Sequence, residues 1–185
     1  MSHLDQGNDD YLSILGDIAK IQQQWIKSID FFLDAYRINP QNFKALENAM
    51  QVCLTAELFK KAEGVCKLLV QFEPNNNSYW LTYKQITAYN KNYNSTLKAI
   101  AELEKINGKS IKLSLEKSAI MQELNKVDEA IKLLVEIHNP DSANINIVER
   151  LVSMYLETEN FIDADIFNKI LMLSLIHISE PTRRR

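Results

Sequence analysis

Apolar residues along this chain recur at intervals of three and four, in short blocks separated by polar breaks. Examples of such breaks are IQQQ, which begins at Ile21, and NKN, which begins at Asn90. Spacing of three and four is typical of an amphipathic helix that buries one face. Because the blocks come in pairs around a short polar break, the pattern predicts helical hairpins.

The same pattern repeats along the chain with a period of 34. A small residue recurs at this interval, and an aromatic or β-branched residue stands three positions before each copy. Small side chains allow two helices to approach closely, so this column predicts where the two helices of each hairpin meet. The small residues are Ser28, Ala62, Thr96, Ala130 and Ala164. Their aromatic or β-branched companions are Trp25, Phe59, Tyr93, Val127 and Phe161, and we expect Trp25 and also Trp80 to lie in the core.

Helix-stopping residues follow the second helix of the predicted hairpins. Pro40 and Pro74 are separated by one full period, Gly108 holds the next position, and Pro140 is slightly displaced from the one after. Proline and glycine end helices for backbone reasons. A single hairpin cannot bury both of its apolar faces, so neighbouring hairpins must stack into an all-α array.

A helix-turn-helix unit of this period with these columns resembles the tetratricopeptide repeat. The first unit carries Leu15, Gly16, Ser28, Phe32 and Pro40 at positions of the family signature. The resemblance implies a right-handed α-solenoid of about five stacked antiparallel helix hairpins. The predicted units are 9–42, 43–76, 77–110, 111–144 and a truncated 145–172, after a flexible tail at 1–8.

Composition and charge narrow the function classes. The net charge is −3 and no basic run precedes the last residues, which disfavours nucleic acid as a partner. The amino terminus lacks the features of a secretory signal and no apolar run is long enough to span a bilayer, so we expect a cytoplasmic protein without membrane contact. Cys53 and Cys66 are too few for a disulfide framework, and packing is their predicted role.

No arrangement of residues points to catalysis or to a cofactor. The carboxylate pairs Asp10 with Asp17 and Glu149 with Glu157 stand about two turns apart on predicted solvated faces. The histidines are scattered along the chain, and no phosphate-binding loop or nucleophile motif is present. The sequence therefore predicts a protein that is not an enzyme and holds no cofactor or metal.

The family resemblance implies that the first helix of every hairpin lines a concave groove in which peptides lie. An apolar strip in this groove is expected to anchor a partner, with glutamine side chains bonding the partner's backbone. The strip is Leu54, Leu81, Ala88, Tyr89 and Leu115, and the glutamines are Gln51, Gln85 and Gln122. The other groove positions are Asp17, Lys20, Lys44, Glu47, Lys112, Ala119, Glu149 and Ser153. For Leu54 and Tyr89, packing between hairpins is an equal alternative.

These observations favour a scaffold or adaptor that binds a peptide or protein segment. The alternative is the recognition arm of a longer protein, for example a glycosyltransferase whose catalytic part is missing from the chain. Family members that grip a chaperone's terminal carboxylate use lysine, asparagine and arginine, but only Asn48 fits, and Ser13, Asp17, Ser78 and Thr82 do not. A chaperone-tail clamp is therefore disfavoured, as is an RNA-binding array, which would need a basic groove.

The segment 173–185 does not follow the repeating pattern. The run LSLIHISEPTR, which begins at Leu173, resembles the translation of a transposase-type sequencing adapter. We therefore expect the native coding sequence to stop near Met172, which would make the chain a truncated fragment, and a natural end helix is the alternative. Under the first interpretation, Arg183, Arg184 and Arg185 have no bearing on function.

Overall fold

A computed structural model of the chain describes residues 3–138 and 144–179, with side chains at 8–138 and 144–173. Every regular element in these ranges is a helix, and the predicted all-α class is confirmed. The ten helices of the described ranges are α1 (His3–Ile21), α2 (Trp25–Ile38), α3 (Phe43–Thr55), α4 (Phe59–Phe72), α5 (Asn77–Tyr89), α6 (Tyr93–Asn107), α7 (Ile111–Glu123), α8 (Val127–Ile137), α9 (Ile145–Glu157) and α10 (Phe161–Ser179).

Helix starts recur with the period of 34 that the sequence shows. The first helices of four hairpins begin at Phe43, Asn77, Ile111 and Ile145. Each odd-numbered helix is followed, after a short turn, by an even-numbered partner that also starts at this interval. The prediction of about five helical hairpins is therefore confirmed for the described residues.

A residue in the left-handed region of backbone space makes the turn inside every hairpin. None of the five is glycine, and their φ angles lie between 55° and 57°. In each turn the residue that follows donates its N–H to a carbonyl five positions earlier, as Leu58 does to Cys53 over 2.8 Å. Two hydrogen bonds define a Schellman motif at a helix end, and this is the one that spans more residues. The left-handed residues are Gln23, Glu57, Lys91, Asn125 and Glu159.

The predicted column of small residues lies where the two helices of each hairpin meet. All five residues of this column are buried. In the first hairpin the hydroxyl of Ser28 donates to the carbonyl of Gly16 over 2.7 Å, and a Cβ atom at Gly16 would come within 2.7 Å of the Phe32 ring. Trp80 is buried as predicted, whereas Trp25 is only partly buried.

Side-chain caps start the first helices of the later hairpins. Asn42 accepts from the backbone N–H of Ala45, and Asn76 accepts from two N–H groups at the start of α5. Ser110 and Asn144 cap α7 and α9 in the same way. An N-cap side chain of this kind satisfies a backbone donor that has no partner inside the helix.

The chain consists of two compact units, residues 1–107 and 108–185. Unit 1 contains α1 to α6, and unit 2 contains α7 to α10. Gly108, at the boundary, has a φ of 81°, which glycine adopts without steric cost. A hydrophobic core cluster of unit 2 contains Ala130, Leu134, Ile147, Leu151, Met154, Tyr155 and Ala164.

Helix α1 begins at His3, inside the segment 1–8 for which the sequence predicts a flexible tail. Helix α10 continues to Ser179, so the backbone is helical through part of the segment with the adapter resemblance. The origin of that segment stays a prediction. The helix stop near Pro140 and the arginines at 183–185 lie outside the described residues.

Candidate functional site

The predicted groove residues of α3 share one face of that helix. Lys44, Glu47, Gln51 and Leu54 follow one another at spacings of three, four and three. Lys44 pairs with Glu47, with Nζ 3.2 Å from Oε2, and the side-chain oxygen of Gln51 accepts from Lys20 of α1 over 2.9 Å. Leu54 is 40% exposed, which is high for a leucine in a helix that packs against both α2 and α4. This face of α3 is therefore accessible to solvent and carries charged, polar and apolar side chains.

The predicted groove residues of α5 are also exposed. Leu81 is 38% exposed and Tyr89 is 68% exposed, while Gln85 and Ala88 lie between them on the same helix. The Tyr89 ring contacts the ring of Phe59, with centroids 4.2 Å apart. Tyr89 thus makes one packing contact within unit 1 and presents most of its surface to solvent.

A cavity of about 240 Å³ lies between α3, α4 and α5 and is bordered by part of the predicted groove. Glu47, Gln51 and Leu54 line it, whereas Leu81, Gln85, Ala88 and Tyr89 do not. Three of its lining residues have long apolar side chains, the exposed Leu54 and the buried Met50 and Leu69. Its other lining residues are Cys66, Ser78, Tyr79 and Thr82.

Glu47 is held at the edge of this cavity by two donors. The hydroxyl of Tyr79 donates to Oε1 over 2.8 Å, and Lys44 contacts Oε2. Burial raises the pKa of Tyr79 to about 12, and the hydrogen bond and negative charge of Glu47 act in the same direction. Tyr79 is therefore a neutral donor at physiological pH, and it fixes the Glu47 carboxylate in place.

The two cysteines of unit 1 are packing residues in the structure. Burial raises the pKa of the Cys66 thiol to about 12 and that of the Cys53 thiol to about 11. The Cys66 thiol donates to the carbonyl of Tyr79, with 3.5 Å between sulfur and oxygen. Thiols with a raised pKa are poor nucleophiles, so this pair adds no chemistry to the cavity.

Sequence reasoning missed Tyr79 and Met50 and did not include Ser78 and Thr82 in the groove. Ser78 stands one period after Lys44, so the repeat already places it in the groove column. Tyr79 stands one period after Ala45. The replacement of Ala45 by the larger, polar Tyr79 at the same repeat position is the sequence signal that could have identified Tyr79.

Unit 2 holds the remaining predicted groove residues. Lys112 is exposed, whereas Leu115 packs against the core of the unit. Gln122 donates to Glu157 of α9 over 2.6 Å and lines a polar cavity of about 530 Å³. Ala119, Ile120, Glu123, Asn125, Arg150 and Glu157 complete the lining. Glu149 and Ser153 are exposed on α9.

Two further properties of the described residues concern membranes and metals. No helix in the described ranges has the length and apolar content that crossing a membrane requires. Across the same residues, no group of three or more histidine, cysteine, aspartate or glutamate side chains is arranged to hold a metal ion.

Comparison with known proteins finds similarity in structure but not in sequence. No protein-family model matches the chain, and no curated protein matches its sequence. A crystal structure of MamA superposes with a TM-score of 0.58 at 11% identity, over 96% of this chain and 98% of that one. A second is YrrB, described as a TPR protein with an unusual peptide-binding site, with a TM-score of 0.57 at 12% identity, over 87% of this chain and 83% of that one. Similarity at this level of identity shows the fold, and the described ranges of the chain have the all-α hairpin fold of tetratricopeptide-repeat proteins.

Proposed function

We propose that the open face of α3 and α5 binds a segment of a protein partner, so that the chain acts as an interaction scaffold. The observation that carries this proposal is the cavity at Leu54, which is lined both by apolar residues and by exposed polar side chains. Such a combination suits a partner side chain that is anchored by burial and oriented by hydrogen bonds. A scaffold of this kind binds without catalysing a reaction.

The cavity is of a size to hold one or two amino-acid side chains. Its volume of about 240 Å³ lies below the range of about 300–1,000 Å³ that is typical of sites for drug-sized ligands. An aliphatic side chain entering it would contact Met50, Leu54 and Leu69. The exposed amide of Gln51 and the hydroxyl of Ser78 stand at the same cavity and can bond the peptide backbone of the partner.

The exposed residues of α5 extend the surface beyond the cavity. Leu81 and Tyr89 offer apolar area to a bound segment, and Gln85 lies between them as a hydrogen-bonding group. In unit 2, Lys112, Leu115 and Gln122 belong to the same proposal as a separate set of contacts. The peptide-binding site in the description of YrrB, which has this fold, supports the class of partner.

The proposal can be tested with peptides selected for binding. Peptides that bind the full chain are selected from a random library displayed on phage. The affinity of one selected peptide, made synthetically, is then measured by fluorescence anisotropy. We expect Leu54→Ala, and separately Leu81→Ala with Tyr89→Ala, to weaken binding at least tenfold, or about 1.4 kcal/mol. Loss of apolar contact at the anchor is the physical reason.

Ile26→Ala is the control, because Ile26 is an aliphatic residue on α2 whose exposed fraction of 45% is close to the 40% of Leu54. This variant should bind the selected peptide as the unchanged chain does. If neither Leu54→Ala nor the double variant weakens binding more than Ile26→Ala, the assignment of the face is wrong.

A further inference from the structure

Another cavity of unit 1 lies between α2 and α4, the second helices of the first two hairpins, and we call it the α2–α4 cavity. Its volume is about 440 Å³ and its accessible lining is mainly apolar. Leu33 and the ring of Tyr36 line it from α2, and Leu68 lines it from α4. None of the described residues lines both this cavity and the one at Leu54. The α2–α4 cavity is therefore independent of the proposed partner-binding face.

An exception in the repeat opens this cavity on the side of α4. Gly64 lines the cavity, and a Cβ atom built there would meet nothing within 4 Å. A glycine inside a helix lowers the stability of the helix, and no close approach requires one at this position. The other hairpins carry a side chain at the same repeat position, namely Asp30, Lys98, Lys132 and Ile166. The volume that a side chain would fill at Gly64 is thus free for another molecule.

A cationic side chain stands at the cavity on each of the two helices. Arg37 of α2 and Lys61 of α4 are both exposed lining residues. Arg37 pairs with Asp34, with 2.6 Å between Nη1 and Oδ1, but an exposed pair of this kind is weak and uses only one of several guanidinium donors. None of the described residues that line the cavity is acidic. A negatively charged ligand is therefore favoured over a positively charged one.

The lining suits an alkyl chain with a charged head group better than it suits a peptide. A peptide backbone presents N–H and C=O groups that need hydrogen-bond partners when they leave water. The cavity at Leu54 offers Gln51, Ser78 and Thr82 for this purpose, whereas the described lining of the α2–α4 cavity contains no asparagine, glutamine, serine or threonine. An alkyl chain has no such need. The volume of this cavity also lies within the range of about 300–1,000 Å³ that is typical of small-molecule sites.

We propose that the α2–α4 cavity binds the anion of a medium-chain fatty acid. The alkyl chain lies against Leu33 and Leu68 in the volume left by Gly64, and the carboxylate contacts Arg37 and Lys61. Carboxylates form short, charge-assisted hydrogen bonds with such groups. Because the cavity is open to solvent at Gly64 and buries only part of the ligand, we expect a Kd of about 0.1–1 mM for decanoate.

Nuclear magnetic resonance of the full chain, labelled with nitrogen-15, tests the proposal during titration with decanoate. Amide signals of α2 and α4, including that of Gly64, should shift and saturate by about 5 mM, well above the expected Kd. Decylammonium, which has the same alkyl chain and the opposite charge, should bind at least about tenfold more weakly. A titration without saturable shifts in these helices overturns the proposal, and so do equal affinities for the two amphiphiles.

Gly64→Leu tests whether the free volume holds the alkyl chain. Leucine at this position fills the cavity and should raise the Kd for decanoate at least about tenfold. Lys98→Leu is the matched control, because it places the same side chain at the same repeat position on α6, outside the cavity, and it should leave the Kd unchanged. Circular dichroism checks that both variants keep their helix content. A Gly64→Leu chain that binds decanoate as the unchanged chain does overturns the proposal.

The head-group contacts have a test that does not depend on filling the cavity. Arg37→Gln combined with Lys61→Gln should weaken decanoate binding and abolish the preference over decylammonium. Lys27→Gln combined with Lys60→Gln removes two exposed cations from the same helices outside the cavity and should keep that preference. Equal losses in the two double variants overturn the proposal. So does a blocked peptide of leucine and aspartate that shifts the same amides at lower concentration than decanoate, since the cavity would then be a peptide site.

Discussion

Two glycines within helices of unit 1 occupy opposite environments. Gly16 of α1 lies against the buried ring of Phe32, and its carbonyl accepts from Ser28. Gly64 of α4 is exposed, and a Cβ atom added there would meet nothing within 4 Å. The first glycine is required by a close approach of two helices, whereas the second only lowers the helix propensity of α4.

We expect alanine to have opposite effects at these two positions. Gly16→Ala should lower the free energy of unfolding by about 1–3 kcal/mol, because its methyl group overlaps a ring that cannot move aside. Gly64→Ala should raise the free energy by about 0.5–1 kcal/mol by removing conformational freedom from the unfolded chain. Urea denaturation of both variants, followed by tryptophan fluorescence, measures the difference. A Gly16→Ala chain as stable as the Gly64→Ala chain would contradict the close approach.

At the residue scale, the sequence predicted burial correctly at positions that recur with the repeat. It did not predict contacts between side chains that occur in one hairpin only. The buried position of Ser28 follows from its column. The bond from Tyr79 to Glu47 joins side chains far apart in the chain, one of them from a column that is small in the previous hairpin. Periodicity carries no information on such a pair, because it depends on rotamers and on the burial of one particular ring.

At the scale of elements, the turn inside each hairpin is built the same way five times in the described residues. A left-handed residue ends the first helix and a hydrogen bond spanning five positions closes the turn. Helix starts could be predicted from the repeat, but the turn geometry could not. The usual sign of a left-handed residue is glycine, and these positions carry glutamine, glutamate, lysine and asparagine.

Glycine at one of these positions should stabilise unit 1. Lys91 has a φ of 56°, which costs an ordinary residue about 1 kcal/mol relative to glycine. We expect Lys91→Gly to raise the free energy of unfolding by up to about 1 kcal/mol, reduced by the greater freedom of glycine in the unfolded chain. Thermal and urea unfolding of the variant provide the measurement.

Asn125→Gly is the control for this substitution. Asparagine tolerates the left-handed region better than lysine does, so its replacement in unit 2 should give a smaller gain. Equal gains at the two positions, or a loss at Lys91, would show that the backbone angle is not the cause.

At the scale of the whole molecule, the chain divides into two compact units at Asn107 and Gly108. The repeat runs through this point without interruption, so the sequence predicts one continuous array. Two apolar columns do break shortly afterwards, at Ser114 and Lys117. Periodicity indicates that hairpins follow one another, but it does not measure how compactly each group of hairpins is packed.

The division can be observed because the spectroscopic and chemical probes lie on one side of it. Trp25, Trp80, Cys53 and Cys66 all belong to unit 1. Tryptophan fluorescence therefore reports unfolding of unit 1 alone, whereas far-UV circular dichroism reports both units. Because both thiols are buried and their pKa values are raised to about 11 and about 12, thiol labelling near pH 8 also requires unit 1 to open.

We expect Leu151→Ala to separate the two signals. Leu151 is fully buried in the core of unit 2, and truncation of such a leucine costs about 2–5 kcal/mol. In urea, part of the circular dichroism should be lost before the fluorescence changes. Leu46→Ala, at an equally buried position in unit 1, should instead move the fluorescence transition. Coincident transitions in the Leu151→Ala chain would mean that the units unfold together.

The regular spacing of capped helix starts has a consequence for how the gene can change. Asn42, Asn76, Ser110 and Asn144 each precede a first helix, and the same number of codons separates one from the next. An unequal crossover that gains or loses one such interval joins a cap to an equivalent cap and a turn to an equivalent turn. The reading frame is retained, and each first helix still begins after a side-chain cap. Recombination within the gene can therefore add or remove whole hairpins without creating a new loop sequence.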